Sequence, residues 1–342
     1  MKKTLKDQSD EMQRNILSTK TDAQILSTEY DSPEFIVPNL LPVGLTLLCG
    51  KPKSGKSLLG MDLACSIANG SRFLGLFDLI QHEVLYLAME DTEPRIQMRL
   101  NRLTEDSEGT GRLHCATDCC RLDQGFFENL ENWLPQKPAV KLVIIDTFNR
   151  VRRLKRRGTT PYEKDYNEIS GLKKFADDHK ISIIVVHHLR KSEAKDVTDM
   201  IAGSIGITAA ADAILILQKE RGSNEASFFA TGRDIPDFEI GLTLNPVSLS
   251  WEISTPTQEL TEEREEVLAV LEKADGSMRL NEIAATVNKK KNNVHKLLAG
   301  LIVAGKVEKT GYGIYALREE PIKNDEIEQN GGESGESDEI DA

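Results

Sequence analysis

Gly44-Leu45-Thr46-Leu47-Leu48-Cys49-Gly50-Lys51-Pro52-Lys53-Ser54-Gly55-Lys56-Ser57 joins a short apolar run to the pattern G-x-x-x-x-G-K-[ST]. Leu45 to Cys49 reads as a buried strand, and Ser57 to Ala68 as the helix that follows it. A glycine at each end lets the backbone N–H groups of such a loop turn inward together, and the helix N-terminus adds its dipole, so the loop cradles phosphate oxygens. The cradle comprises Gly50, Lys51, Pro52, Lys53, Ser54, Gly55, Lys56 and Ser57. Lys56 is expected to reach the β- and γ-phosphates of ATP, and the Ser57 hydroxyl to ligate Mg²⁺, which favours oxygen ligands. The strand before and the helix after separate this pattern from a chance glycine-rich turn.

Outward from the loop, more apolar runs alternate with helical or polar stretches: Val84 to Ala88, Leu142 to Ile145, Ile181 to Val186 and Ala213 to Leu217. Runs of this length separated by helices indicate parallel strands buried on both faces. A strand pair near Ala226 to Ala230 and Glu239 to Leu244 continues the sheet. The fold class expected is α/β, a P-loop domain with a mainly parallel sheet. A phosphate site of this kind needs a carboxylate on a neighbouring strand to hold the metal's water shell, and Asp146 ends the apolar run Leu142-Val143-Ile144-Ile145. Hydrolysis also needs a group beside the γ-phosphate to orient or deprotonate water. Glu90, in Met89-Glu90-Asp91 at the end of Val84 to Ala88, is the expected base; a helix-capping acid pair is the other reading, and it suits Asp91 better.

Beyond a linker containing Pro256, Val267, Val270 and Leu271 recur at helical spacing up to Gly276. Ile283, Ala284 and Val287 form a second helix, and Val294, Leu297, Leu298 and Leu301 a third, closed by Gly305. Lys306 to Leu317 then alternates about Thr310-Gly311 as a hairpin. Three helices and a hairpin describe a small winged-helix domain. The third helix opens with Lys289, Lys290, Lys291, Asn292 and Asn293, followed by His295 and Lys296, where side chains reach DNA phosphates or base edges, although such modules also dock proteins. The organisation expected is a flexible arm over 1–34 with one short helix around Asp10 to Leu17, an ATPase domain over 35–254, a linker over 255–260, a winged helix over 261–318 and an acidic tail over 319–342.

The chain has 342 residues and a formal charge of −12. The tail carries ten acids against Lys323 alone, a balance of −9 that leaves −3 for the remainder. Its low hydrophobicity and single sign of charge predict disorder. Against this background Arg150-Val151-Arg152-Arg153-Leu154-Lys155-Arg156-Arg157 packs six cations into eight residues, a run that calls for a polyanion or for solvent. No stretch is long and apolar enough for a membrane span, and five cysteines without regular pairs suit a reducing, cytoplasmic setting. His114, Cys115, Cys119 and Cys120 lack the separated pairs of a structural zinc site, so no zinc is expected there.

Taken in order, GKPKSGKS, the strand ending YLAMED, the strand ending VIIDT, His187-His188-Leu189-Arg190-Lys191, Gly203-Ser204 and Thr231-Gly232-Arg233-Asp234 resemble the RepA-like hexameric helicases of plasmids and phages, a branch of the RecA-like ATPases. The resemblance covers about Phe35 to Trp251. It implies that His188 senses the γ-phosphate and that Arg233 is an arginine finger inserted into a neighbouring subunit's site, with Arg221 in reserve. It also implies a homo-oligomeric ring, a hexamer, whose loops after two of the strands face single-stranded DNA. These loops hold Arg150, Arg152, Arg153, Lys155, Arg156 and Arg157 in one and Lys191 in the other; Lys290, Lys291 and Lys296 belong to the winged helix. The function implied is an ATP-driven helicase or translocase in replication of a mobile element, with a replication partner docked on the winged helix or the tail. The alternative is a RecA-like regulator or recombination mediator that uses ATP as a switch without unwinding. A nucleoside kinase fits less well, for want of a lid with paired arginines.

Overall fold

All seven residues of β3 (Gly44–Gly50) are buried, and their side chains divide between two cores. In the computed structural model, residues 19–30, 33–105, 108–153, 160–189, 201, 206–235, 237–254, 262–274, 276–303, 306–311 and 313–318 are described, with only the backbone at 262, 292, 296, 299 and 303. Leu48 packs on one side of the sheet with Tyr86, Ile144, Ile184 and Val186; Leu47 and Cys49 pack on the other with Leu85, Leu87, Val143, Ile145, Ile183 and Val185. Burial on both faces is why these strands read as unbroken apolar runs instead of alternating ones.

β3 is one of nine strands in the order β11-β10-β9-β8-β3-β7-β6-β4-β5. β4 (Glu83–Ala88), β5 (Leu113–Ala116), β6 (Val140–Asp146), β7 (Ser182–His188) and β8 (Ala213–Lys219) are parallel to β3. β9 (Glu225–Gly232), β10 (Phe238–Leu244) and β11 (Trp251–Ile253) extend the sheet antiparallel, so the expected strand pair is there, with β11 added at the edge. A two-stranded ribbon, β1 (Phe35–Val37) with β2 (Leu41–Pro42), precedes the sheet. β5 escaped the sequence reading because Leu113-His114-Cys115-Ala116 is a half-exposed edge with no apolar run.

α2 (Lys56–Asn69) packs on the first face, and α4 (Phe126–Trp133) and α6 (Pro161–His179) on the second. α3 (Glu93–Leu103) carries one fully buried residue, Ile96. Short turns α5 (Phe148–Val151) and α7 (Gly206–Ala209) follow β6 and precede β8. Before the sheet in the chain, α1 (Asp22–Leu26) is closed by a capping box in which Thr21 and Gln24 exchange bonds. The helix expected over Asp10 to Leu17 lies outside the described residues.

The C-terminal elements are α8 (Glu262–Lys273), β12 (Met278–Arg279), α9 (Leu280–Thr286), α10 (Lys291–Val303), β13 (Val307–Gly311) and β14 (Ile314–Leu317) around a core of Val267, Leu271, Ile283, Val294, Leu298, Leu301, Val307 and Tyr315. This is a winged helix. Its hairpin turn falls two residues later than the sequence suggested: Gly311 pairs with Ile314, and Gly313, at φ 67°, takes the left-handed position that turns the chain. Among the described residues no helix is long and apolar enough to cross a membrane.

Candidate active site

The parallel register brings four strand ends to one edge. Gly50 of β3 lies level with His188 of β7 and Leu217 of β8, while Asp146 ends β6 level with Ala88 of β4. The expectation that Asp146 stands on the strand beside the loop is corrected: β7 lies between β3 and β6, and this inserts His188 between the cradle and the carboxylate.

Gly50 and Gly55 are required by shape. A Cβ on Gly50 would stand 2.7 Å from both the Leu217 carbonyl oxygen and Ser54 Oγ. Gly55 has φ 93°, and a Cβ there would meet Trp251 Cζ2 at 2.6 Å. Lys56 is buried and donates from Nζ to the carbonyls of Gly50 (2.9 Å) and Lys51 (2.8 Å). Burial pulls its pKa below the usual lysine value, and the charges of Asp146, Cys49 and Glu90 oppose that fall. The amine therefore stands next to the carboxylates that would share a metal and a phosphate with it.

Asp146 is buried, and its Oδ2 accepts a hydrogen bond from the Tyr86 hydroxyl at 2.8 Å. The same hydroxyl lies 3.2 Å from the Ser57 carbonyl oxygen, which ties the strand carboxylate to the loop. Burial pushes the Asp146 carboxyl above its ordinary range, while the Ser57 and Tyr86 hydroxyls and the Lys56 charge pull it back. Asp146 Oδ1 and Ser54 Oγ are buried without a hydrogen-bond partner among the described residues. A carboxylate oxygen beside Ser57 and a hydroxyl inside the loop are the donor set a hydrated divalent cation and a triphosphate need, so the residues fit Mg²⁺ and a nucleotide. Tyr86 was not singled out from sequence; its signal is a lone hydroxyl inside an otherwise apolar strand.

Glu90 lies exposed in the turn after β4, accepts from Thr147 Oγ1 at 3.2 Å and pairs with Arg150 Nε at 3.5 Å. It thus links the end of β6 to the head of the basic segment. Asp91 is occupied by Arg95 (3.0 Å) and Arg99, a bond internal to the start of α3. His188 is held below the ordinary histidine pKa by burial and then by the Lys56 charge, against Glu90, Asp146 and a bond to the Gly50 backbone. Its imidazole is therefore neutral near pH 7. His187 points the other way, edge-on to Phe148 in the core.

Arg233 follows β9 at the opposite edge. Its N–H donates to the Asp212 carbonyl (2.9 Å), Nη2 to the Ala209 carbonyl (3.3 Å), and Nη1 lies 3.7 Å from Asp212 Oδ1. Gly232 is level with Ala213 and so with Thr46, four residues below Gly50, or about 13 Å along the strand. It cannot serve the site of its own chain. Arg221 stands exposed in the β8–β9 turn, past the level of Gly50 and on the edge that holds the cradle.

Of the expected DNA-contacting cations, Arg150 is 58% exposed. Arg152 is engaged within the chain: it binds Asp165 and Glu168 (2.7 Å), both buried, and covers the Phe148 ring at 5.0 Å. Two buried carboxylates on α6 require a cation, a demand that a count of charges along the chain does not reveal. Arg153 is partly buried, and its backbone N–H donates to Glu168 at 2.9 Å. Lys290 and Lys291 are exposed at the start of α10, whereas Lys289 is bound to Glu263 (3.2 Å) and Glu266 (3.1 Å). Lys155, Arg156, Arg157, Lys191 and the side chain of Lys296 lie outside the described residues.

Three solved structures resemble the chain: an ATPase domain (16% identity, TM-score 0.48, covering 61% of this chain and 84% of that one), a DnaB-like replicative helicase studied with its interactions with primase (15%, 0.49, 61% and 57%) and the RadB recombinase (18%, 0.44, 62% and 91%). Residues 266–311 match the IclR helix-turn-helix domain. Residues 11–194, more than half of the 342, match the family described as AAA domain. With its P-loop, the buried carboxylate that ends β6 and a mainly parallel sheet, the protein has a P-loop ATPase domain followed by a C-terminal winged helix, and it belongs to the AAA domain family.

Proposed function

We propose that the protein is an ATP-driven motor of the RepA-like helicase type, which assembles as a homo-oligomeric ring, a hexamer, and moves along single-stranded DNA during replication of a plasmid, phage or other mobile element. The observation that carries this reading is Glu90, which touches Thr147 beside the metal-strand carboxylate and Arg150 at the head of the basic segment. One carboxylate is thus shared between the hydrolytic site and the cations that face a polyanion.

In this mechanism Lys56 gives up its two carbonyl partners for β- and γ-phosphate oxygens. The Ser57 hydroxyl and Asp146 would hold Mg²⁺, which would supply positive charge beside those oxygens. Tyr86 keeps Asp146 in place, Glu90 takes the proton of the attacking water, and neutral His188 donates toward the terminal phosphate and registers its loss. A guanidinium from the next subunit stabilises the transferred phosphoryl. Arg221, on the cradle's edge, suits that role by position, and Arg233 by resemblance. The ATPase domain spans 35–254 and the winged helix 261–318, which docks duplex, origin or a replication partner through Lys290 and Lys291.

The alternative is an ATP-switched DNA-binding regulator or recombination mediator without unwinding, and the helix-turn-helix match favours it. Strand displacement from a forked duplex, with ATP and at modest salt, separates the two. A motor displaces the strand and loses this with Lys56→Ala; ATP hydrolysis on DNA without displacement refutes the motor.

A further inference from the structure

α6 begins at a defined point. Thr160 caps it, Thr160 and Glu163 exchange both bonds of a capping box, and Pro161 occupies its first turn. Tyr162 and Tyr166, four residues apart, lie on the same flank with ring planes only 10° apart and centroids at 6.1 Å. They are 49% and 41% exposed, and neither ring belongs to the apolar clusters on either side of the sheet. Two large aromatic faces presented in parallel to water do nothing for the core.

The same two turns of α6 clasp the head of the basic segment. Arg152 binds Asp165 and Glu168, the Arg153 N–H donates to Glu168, and Lys164 Nζ donates to the Arg153 carbonyl at 2.9 Å. The chain leaving β6 and the two rings are therefore tied together, with Arg150 exposed at the head of that chain. The exposed Arg150, at the head of a run with six cations in eight residues, suits a polyanion, and parallel rings call for flat partners. A single strand of nucleic acid offers both, because its bases are unpaired and every base has a face to stack.

We infer that Tyr162 and Tyr166 form a stacking platform for the bases of single-stranded nucleic acid whose phosphates meet Arg150. This rests on the reading above that the segment after β6 faces single-stranded DNA, and it adds a base-contacting element that discriminates single strand from duplex, in which base faces are covered. Stacking is insensitive to salt, whereas phosphate contacts are strongly dependent on it, so the two contributions separate.

The test uses the full chain with a non-hydrolysable ATP analogue and fluorescent oligothymidylate, titrated by anisotropy at several salt concentrations. A strand of equal length with abasic sites serves as the probe without bases. Replacement of both tyrosines by Ala should weaken oligothymidylate binding by about tenfold at every salt concentration, leave the salt slope unchanged, and leave the abasic strand bound as by wild type. Replacement of both by Phe should restore the affinity, and by Leu should not. Equal affinity of wild type and the Ala variant for oligothymidylate, or an equal loss on the abasic strand, overturns the platform alone. Absence of wild-type binding to either strand overturns the platform together with the reading beneath it.

Discussion

Trp251 is fully buried 196 positions after Gly55, yet its ring lies against the cradle glycine, and its backbone N–H is held by Asp62 Oδ2 of α2 at 2.8 Å. Gly55→Ala adds a methyl group 2.6 Å from Trp251 Cζ2, where ordinary contact begins at 3.4 Å, and does so on a backbone at φ 93°. The backbone contributes about 1–2 kcal/mol of strain, and the forced contact about 1–3 kcal/mol, because the Asp62 bond keeps the strand carrying the ring from receding. The substitution should therefore cost about 2–5 kcal/mol. Trp251→Ala alone should cost about 3–5 kcal/mol through the cavity it leaves. In the Trp251→Ala background only the backbone strain survives, so the double variant should be more stable than the sum of the two by about 1–3 kcal/mol. Urea unfolding of the nucleotide-free full chain, followed by far-UV circular dichroism because a tryptophan is removed, measures the cycle. Additivity within about 0.5 kcal/mol would show that the ring does not limit the glycine and would refute the argument.

Burial raises the Asp62 carboxyl from 3.8 to about 7. The folded chain thus keeps a proton that the unfolded chain releases, and this contribution is complete below about pH 4 and disappears as pH rises through 7. Asp62→Asn should gain stability relative to wild type over that window and level off above it; a difference independent of pH in paired denaturation series would contradict this. Arg152→Ala strips the cation from two buried carboxylates and should lower stability by about 3–5 kcal/mol while leaving the salt slope of DNA binding unchanged; a flatter slope would return Arg152 to the DNA-facing set. Arg221→Ala should abolish turnover but spare nucleotide binding, and mixed with Lys56→Ala subunits it should regain activity at shared interfaces, whereas Arg233→Ala, at an exposed side chain, should change turnover and stability little; the reverse outcome in steady-state hydrolysis assigns the finger to Arg233. Tyr86→Phe frees Asp146 from its hydroxyl partner and should raise the Mg²⁺ needed for half-maximal hydrolysis; an unchanged Mg²⁺ titration would show that the hydroxyl does not hold the carboxylate.

Much of the site was legible because its parts are written in consecutive residues. The strand, loop and helix around Gly50 to Ser57 follow one another within the chain, and Asp146 and Glu90 each close an apolar run, so local pattern alone placed them at strand ends. Counting charge along the chain did not reveal partners. Six cations in eight residues looked equivalent in sequence, yet Arg152 is neutralised by Asp165 and Glu168 while Arg150 faces solvent. Lys289 looked like the first residue of a recognition surface and is instead tied to α8.

The sequence by itself determined most of the element types, the glycine-framed loop between β3 and α2, the acid that ends β6 and the winged helix, because periodicity and motif spacing depend on residues within a few turns of one another. Tertiary structure alone decided that β7 separates the cradle from Asp146 and so centres His188, that Trp251 closes on Gly55, and that Arg233 and Arg221 lie at opposite edges of the sheet. Strand order and the pairing of residues nearly two hundred positions apart follow from how both faces of the sheet are covered, a choice made by the packing of whole elements that no local pattern encodes.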